Sequence, residues 1–332
     1  MGWRDESSQP GRMTSIDDPI RGEIRLRGFR RVSHGLFLVE RPELSEDEEF
    51  RRDLRAWCLL LPNGAVFTHV TAARLLGWRL PHLPGPVPVF AAVHGTERRP
   101  RRPGLICSRL VSSDNGGRPG SVQGLPVDAP EEILLRAARD LGHLDLVVLL
   151  DSARALGHVD AERLGSVLAS RRPGTRALAA AWAASDPRSE SGGETVLRMF
   201  HRVMGVDVVP QVDLLDDVGG FIARADLLVT GTLDVHEYDG AGHRSAAQHR
   251  SDLRRDRALA QAGYVRRGYT LDDLTNQSAA LMHELDRALR RSHRPHRLHR
   301  WRTLVDHSAY SRAGQDRLIN RWRRSMGVPD WS

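Results

Sequence analysis

The sequence contains no lysine: all 49 residues of the Lys/Arg class are arginine. Each of these charges is a planar guanidinium that stays protonated at any working pH and meets carboxylate or phosphate in a bidentate way. The lysine absence by itself assigns no function. Cysteine is nearly absent too. Only Cys58 and Cys107 occur, neither in a CxxC pair, which excludes a disulfide framework and a zinc ribbon. Both are expected to be reduced, small core residues of a cytoplasmic protein. Aromatic residues make up only 5% of the chain. No apolar run approaches the roughly 20 residues needed to cross a bilayer. The opening segment MGWRDESSQPGRMTSIDD is polar, without the apolar stretch of a signal peptide, and reads as a disordered lead-in over residues 1–20.

What is present bounds the class. The 332 residues suit two or three domains, and 40% hydrophobic residues suffice for real cores. The net charge of +7 and an isoelectric point near 10.4 favour a polyanionic partner. Along the chain, LFLV (36–39) reads as a short strand and the segment from Glu43 through RRDLRAWCLLL as an amphipathic helix. THVTAARLLGW repeats apolar residues at helical spacing, with Thr68 placed as N-cap and Gly77 as the stop. Pro130, followed by Glu131 and Glu132, marks a helix start. Further helices follow, up to a polar junction at 185–193. After it the order reads helix, three strands, an Arg-rich helix and a fourth strand, or αβββαβ. One more helix is predicted over 275–292, then the Arg/His-dense RSHRPHRLHRWR and a last amphipathic helix over 309–325. The expected class is α/β, in α+β multidomain form. Its parts are an α+β region over 21–185, a second domain over 186–275 and a basic helical extension over 276–332.

The most informative stretch is RADLLVTGTLDVHEYDGAGH, Arg224 to His243. Asp226 is expected near the end of one strand. Glu237 and Asp239 close the next, on one face if that strand runs on, with Gly240 re-aiming Asp239. Glu194 opens the upstream helix in SESGGETVLRMF, where Ser191 and Glu194 resemble a capping box; Glu190 is the alternative acid. Strand-end carboxylates supply the oxygen ligands that a hard cation such as Mg²⁺ prefers. For any single acid a solvent-facing strand end or an arginine partner is the commoner role. The ordered set of three shifts the balance toward a site. His243 fits a water-orienting, general-acid or phosphate-contacting role as readily as an exposed loop histidine. His236 faces the opposite side of its strand and reads as structural. Arg250, Arg254, Arg255 and Arg257 on the next helix either grip phosphate or belong to a solvated face paired with Asp252 and Asp256.

Taken together, residues 190–275 resemble the very-short-patch-repair-like endonuclease domain of the PD-(D/E)XK restriction-endonuclease-like superfamily. The resemblance rests on Ser191 and Glu194, on Asp226, on Glu237-x-Asp239-Gly240, on His243, on the D-x-x-R-D helix from Asp252 to Asp256, and on Gly263-Tyr264. It implies metal-assisted hydrolysis of DNA phosphodiesters. Asp226 and Glu237 would bind Mg²⁺ or Mn²⁺, with Glu194 direct or through water, and Asp239 and His243 would complete the site. The superfamily's usual final lysine is Asp239 in this chain, so its role passes to His243 or an arginine. GFRRVSHGLFLV followed by GAVFTHVTAARLLGW is similar to the antitoxin-like proteins of the abortive-infection type IV system, in its wing-like part and without the preceding recognition helices. The expected function is thus a metal-dependent DNA endonuclease, cytoplasmic and without a membrane partner. The alternatives are a non-catalytic DNA-binding antitoxin or regulator on a nuclease scaffold, and a protein-interaction module. Oligomeric state and DNA preference stay open.

Overall fold

The computed structural model describes residues 19–21, 28–110, 120–240 and 246–326. Among them the chain is mixed α/β, with twelve helices and three sheets. The first sheet is small. Strand β1 (Ile20–Arg21) and the hairpin of β2 (Phe29–Ser33) and β3 (Leu36–Val39) pair antiparallel in the order β1-β3-β2. Gly35 turns the hairpin at φ +68°, a left-handed conformation that costs glycine little. Helix α1 (Glu46–Cys58) begins in a full capping box: the Ser45 hydroxyl accepts from Glu48 N, and the Glu48 carboxylate accepts from Ser45 N at 2.8 Å. It lays Ala56 on Leu36 and Leu38 and pairs Glu49 and Asp53 with Arg30 of β2.

The second sheet has five strands in the order β6-β5-β4-β8-β7. Strand β4 (Val66–Phe67) leads into helix α2 (His69–Leu75). Then come β5 (Val89–Val93), β6 (Leu105–Arg109), β7 (Gly120–Val122) and β8 (Leu125–Val127). Thr68 does precede α2, but its hydroxyl makes no capping bond; it donates to Asp128 Oδ2 at 2.8 Å, which also accepts from Arg136 Nε at 2.9 Å. A buried carboxylate competes better for that hydroxyl than the helix end does, because charge-assisted bonds are the stronger ones. Helices α3 (Pro130–Ala137), α4 (His143–Ala155), α5 (Ala161–Ala169) and α6 (Thr175–Ala184) follow. Pro130 sits at the first turn of α3 as expected. In α4, Leu144 through Ala153 are buried without a break, so this helix is enclosed on all sides.

The third sheet carries the αβββαβ order: helix α7 (Gly192–Met204), strands β9 (Val208–Leu215), β10 (Phe221–Val229) and β11 (Asp234–Tyr238), helix α8 (Ala246–Gln261) and strand β12 (Val265–Tyr269). Its strand order is β12-β11-β10-β9, antiparallel except for the parallel β11–β12 pair that α8 bridges. Helix α7 lies on one face and α8 on the other, with Leu259 of α8 in a small cluster with Leu214, Ala225 and Val235.

Four helices complete the fold: α9 (Leu271–Thr275), α10 (Ser278–Ala288), α11 (Pro295–Asp306) and α12 (Arg312–Met326). The helix predicted over 275–292 is α10, trimmed at both ends, and the short α9 before it was not predicted. The Arg/His segment is not merely a charged tail. Pro295 starts α11, whose buried Trp301 meets Phe200 of α7 edge-on at 5.2 Å. Burying one such ring contributes about 1.5–3 kcal/mol. Helix α12 returns to the second sheet, where Trp322 packs edge-on against Phe90 at 5.9 Å. One hydrophobic cluster therefore runs from Leu54 to Trp322, across the junction at 185–193. The ranges 21–185 and 186–275 divide the sheets but not this core. Among the described residues no helix is long and apolar enough to cross a membrane.

Candidate functional site

Three carboxylates lie in one neighbourhood: Glu194 where α7 begins, Asp226 midway along β10 and Glu237 toward the end of β11. Asp226 is not at a strand end, because β10 runs on to Val229 and pairs there with Val208. The pairing of Leu227 with His236, continued by one residue, sets Asp226 opposite Glu237. Asp226 Oδ2 accepts from Tyr238 N at 2.8 Å, so the neighbouring strand orients the carboxyl. Burial, reinforced by the nearby carboxylates Glu194 and Glu237, pushes that carboxyl from 3.8 up to about 6, against the opposing pull of Tyr238 N–H and Arg255.

Glu194 is buried in the first turn of α7. Its N–H donates to Ser191 Oγ at 3.1 Å, but its own Oε2 accepts from Glu190 N at 2.7 Å rather than from Ser191 N. The expected capping box is therefore half formed. The same oxygen also accepts from Gln211 Nε2 at 2.9 Å. Gln211 stands at φ +56° inside β9, a strained left-handed conformation for a residue with a side chain. Glu190, the alternative acid, is exposed and paired with Arg224 instead.

Glu237 is buried on β11, with Gly268 as its partner on β12. Two arginines hold one of its oxygens: Oε2 accepts from Arg266 Nε at 2.6 Å and from Arg255 Nη2 at 3.1 Å. Asp239 lies one residue past the strand. Its N–H donates to Tyr269 O at 2.8 Å, and its Oδ1 is 3.9 Å from Arg266 Nη2. A Cβ on Gly268 would fall 2.0 Å from Asp239 Oδ2, so only glycine leaves room for this carboxylate over β12.

Of the helix arginines, Arg254 and Arg257 are exposed on α8. Arg250 lies within α8, and its side chain is outside the described residues, as is all of His243. The arginines that reach the site are Arg255 and Arg266. Asp256 was expected to pair along its own helix, and it pairs across to Arg266 at 3.3 Å. Arg266, Gln211 and Gly268 were missed by the sequence reading. The one available signal was strand alternation in YVRRGYT, which puts Arg266 and Gly268 on the same side of β12.

Behind the sheet, His236 turns away from Glu237 as expected. Its Nδ1 lies 2.7 Å from His201 Nε2, while His201 Nδ1 lies 2.8 Å from Leu197 O. A carbonyl only accepts, so His201 carries its proton on Nδ1, and His236 Nδ1 donates to His201 Nε2. Both rings are neutral. Burial pushes His201 down to about 4, and burial together with the facing His201 pushes His236 down to about 2.

All-carboxylate donors in mutual repulsion have the chemistry that suits a hard divalent cation. As they stand, no three His, Cys, Asp or Glu side chains among the described residues are grouped to hold a metal ion. Glu237 spends one oxygen on arginines, and a cation would compete with them for it. No family model, curated protein or solved structure matches this chain.

Proposed function

We propose that the chain is a metal-dependent DNA endonuclease of the very-short-patch-repair-like kind, with a restriction-endonuclease-like αβββαβ core. The observation that carries this reading is the convergence of Glu194, Asp226 and Glu237 from a helix and two strands, close enough for the first and last to raise the Asp226 pKa. Carboxylates are not gathered in a partly buried site for stability, since mutual repulsion and desolvation both oppose it. A divalent cation held there would neutralise phosphate charge and lower the pKa of a water.

The chain's own residues have separate tasks in this reading. Asp226 and Glu237 are the principal ligands, and Glu194 joins directly or through water. Tyr238 N–H and Gln211 Nε2 fix the orientation of Asp226 and Glu194. Arg255 and Arg266 hold Glu237, and Arg266, 3.9 Å from Asp239, brings a charge to where the superfamily's lysine is lacking. Exposed Arg254 and Arg257, with Arg250, offer charge to the DNA backbone along α8, and Asp239 and His243 complete the site.

A second reading draws on the same arginines. With Glu237 already neutralised by two guanidinium groups, the sheet can serve as a DNA-binding scaffold without hydrolysis. Plasmid cleavage by the full chain in Mg²⁺ or Mn²⁺, against EDTA and against Glu237→Ala and Glu237→Gln, separates the two. Nicking or linearisation that needs both metal and Glu237 supports the nuclease. DNA binding by wild type without cleavage, across supercoiled, linear and mismatched DNA, moves the conclusion to the scaffold.

A further inference from the structure

A concave cleft of about 730 Å³ lies on the N-terminal side of the molecule, built from none of the elements that carry the carboxylates. The β5–β6 loop, with sequence GTERRPRRPG, forms one wall, and the turn at 60–62 that follows α1 forms another. Five arginines line it: Arg98, Arg99, Arg101, Arg102 and Arg109. Among the described residues none of the five forms an ion pair with a carboxylate, whereas Arg30, Arg136, Arg172, Arg198, Arg266 and Arg291 all do. Five like charges on one concave wall, unpaired with any carboxylate among the described residues, repel one another, and a fold gains nothing from that arrangement by itself.

The loop is also fixed in shape. Arg102 Nη1 donates to His34 O at 2.8 Å, which ties it to the β2–β3 hairpin turn. Arg109 Nη1 donates to His94 O at 3.0 Å and also to Glu97 O. Pro100 and Pro103 restrict the backbone between them. These bonds go to carbonyl oxygens, so they position the guanidinium groups without neutralising them. A second hollow of about 250 Å³ shares Arg99, Pro100 and Arg101 and adds Arg324 from α12, which extends the positive surface past one cleft.

We propose that this arginine cleft is a second nucleic-acid site that grips the phosphate backbone of duplex DNA without reading sequence. Guanidinium groups suit phosphate in geometry and keep their charge. Among the described residues the cleft offers no aromatic ring for stacking unpaired bases, the usual platform for single strands. Among the same residues it offers no Asn or Gln side chain for base edges. The proposal stands whether or not the carboxylate site cleaves DNA.

Binding of the full chain to a fluorescent 30-base-pair duplex, in EDTA and over a range of NaCl, tests it. Arg99 and Arg101 are exposed and make no hydrogen bond among the described residues, so Arg99→Ala/Arg101→Ala is expected to keep the wild-type melting temperature. Each lost phosphate contact lowers the slope of log affinity against log salt by about 0.9. The double variant should therefore lose about 1.8 from that slope and bind roughly 10–100-fold more weakly near 0.1 M salt. Arg163→Ala/Arg176→Ala removes the same charge from exposed positions on α5 and α6 and should leave the slope unchanged. An unchanged slope in the loop variant, or an equal loss in both variants, overturns the proposal. So does tighter binding to oligo(dT) or to phosphatidylserine vesicles than to the duplex.

Discussion

Replacing Asp226 with asparagine should make the folded chain more stable at neutral pH. In the folded chain the Asp226 carboxyl takes up its proton near pH 6, against 3.8 for an unperturbed side chain. Between those values the folded state binds the extra proton, so its stability falls as pH rises. Above about pH 6 the whole penalty is present, and below 3.8 it is gone. The interval corresponds to about 3 kcal/mol at roughly 1.4 kcal/mol per decade. Asp226 is only partly buried, and solvent screening reduces the usable figure to about 1–2 kcal/mol. Asparagine keeps an oxygen to accept from Tyr238 N, so the strand contact survives. Urea unfolding of wild type and Asp226→Asn at pH 4, 5.5 and 7.5 checks this. The variant should gain about 1–2 kcal/mol at pH 7.5 and progressively less toward pH 4. A variant less stable than wild type at pH 7.5, or a difference that ignores pH, would refute the reasoning. The gain should come with loss of metal-dependent cleavage, as expected where a destabilised group is kept for chemistry.

Other outcomes follow from the same geometry. Mg²⁺ at ten times its dissociation constant should stabilise wild type by about 1.4 kcal/mol; a melting-temperature rise of the same size in Asp226→Asn would place the ion elsewhere. Gly193→Ala would set a Cβ 2.1 Å from the Tyr238 ring. It should cost about 1–3 kcal/mol by overpacking and impair cleavage too, because Tyr238 N orients Asp226; denaturation and plasmid nicking read the two effects. The buried neutral pair of His201 and His236 works in the opposite pH direction from Asp226. The unfolded chain binds protons at 6.5 while His201 resists down to about 4, so His201 alone should lower stability by about 3 kcal/mol across that window as pH falls, and His236 adds in the same direction. The drop should be clearest in Asp226→Asn, where the opposing slope is gone, and a flat stability between pH 4 and 6.5 in that variant would contradict it.

Periodicity, caps and turns made most elements legible before any coordinates. The αβββαβ order, the Pro130 helix start, the Gly77 stop and the three acids in sequence order are local properties, set by side-chain spacing and backbone preference. The short helix α9 ahead of the predicted 275–292 helix was missed, although Thr270 and Asp273 form its capping box. Helix α11 was not legible: its buried Trp301 is one ring among many charges, and only Phe200 on another element makes that face a core.

The site divides along the same line. The sequence by itself determined which acids lie in which elements, since strand and helix order are written locally. Tertiary structure decided what each acid meets. Pairing between β10 and β11 set Asp226 opposite Glu237 in mid-strand, and the parallel strand β12 brought Arg266 to Glu237 over 29 residues. Strand register and the close approach of distant charges depend on the whole sheet closing around its cores, and no window of sequence carries that information.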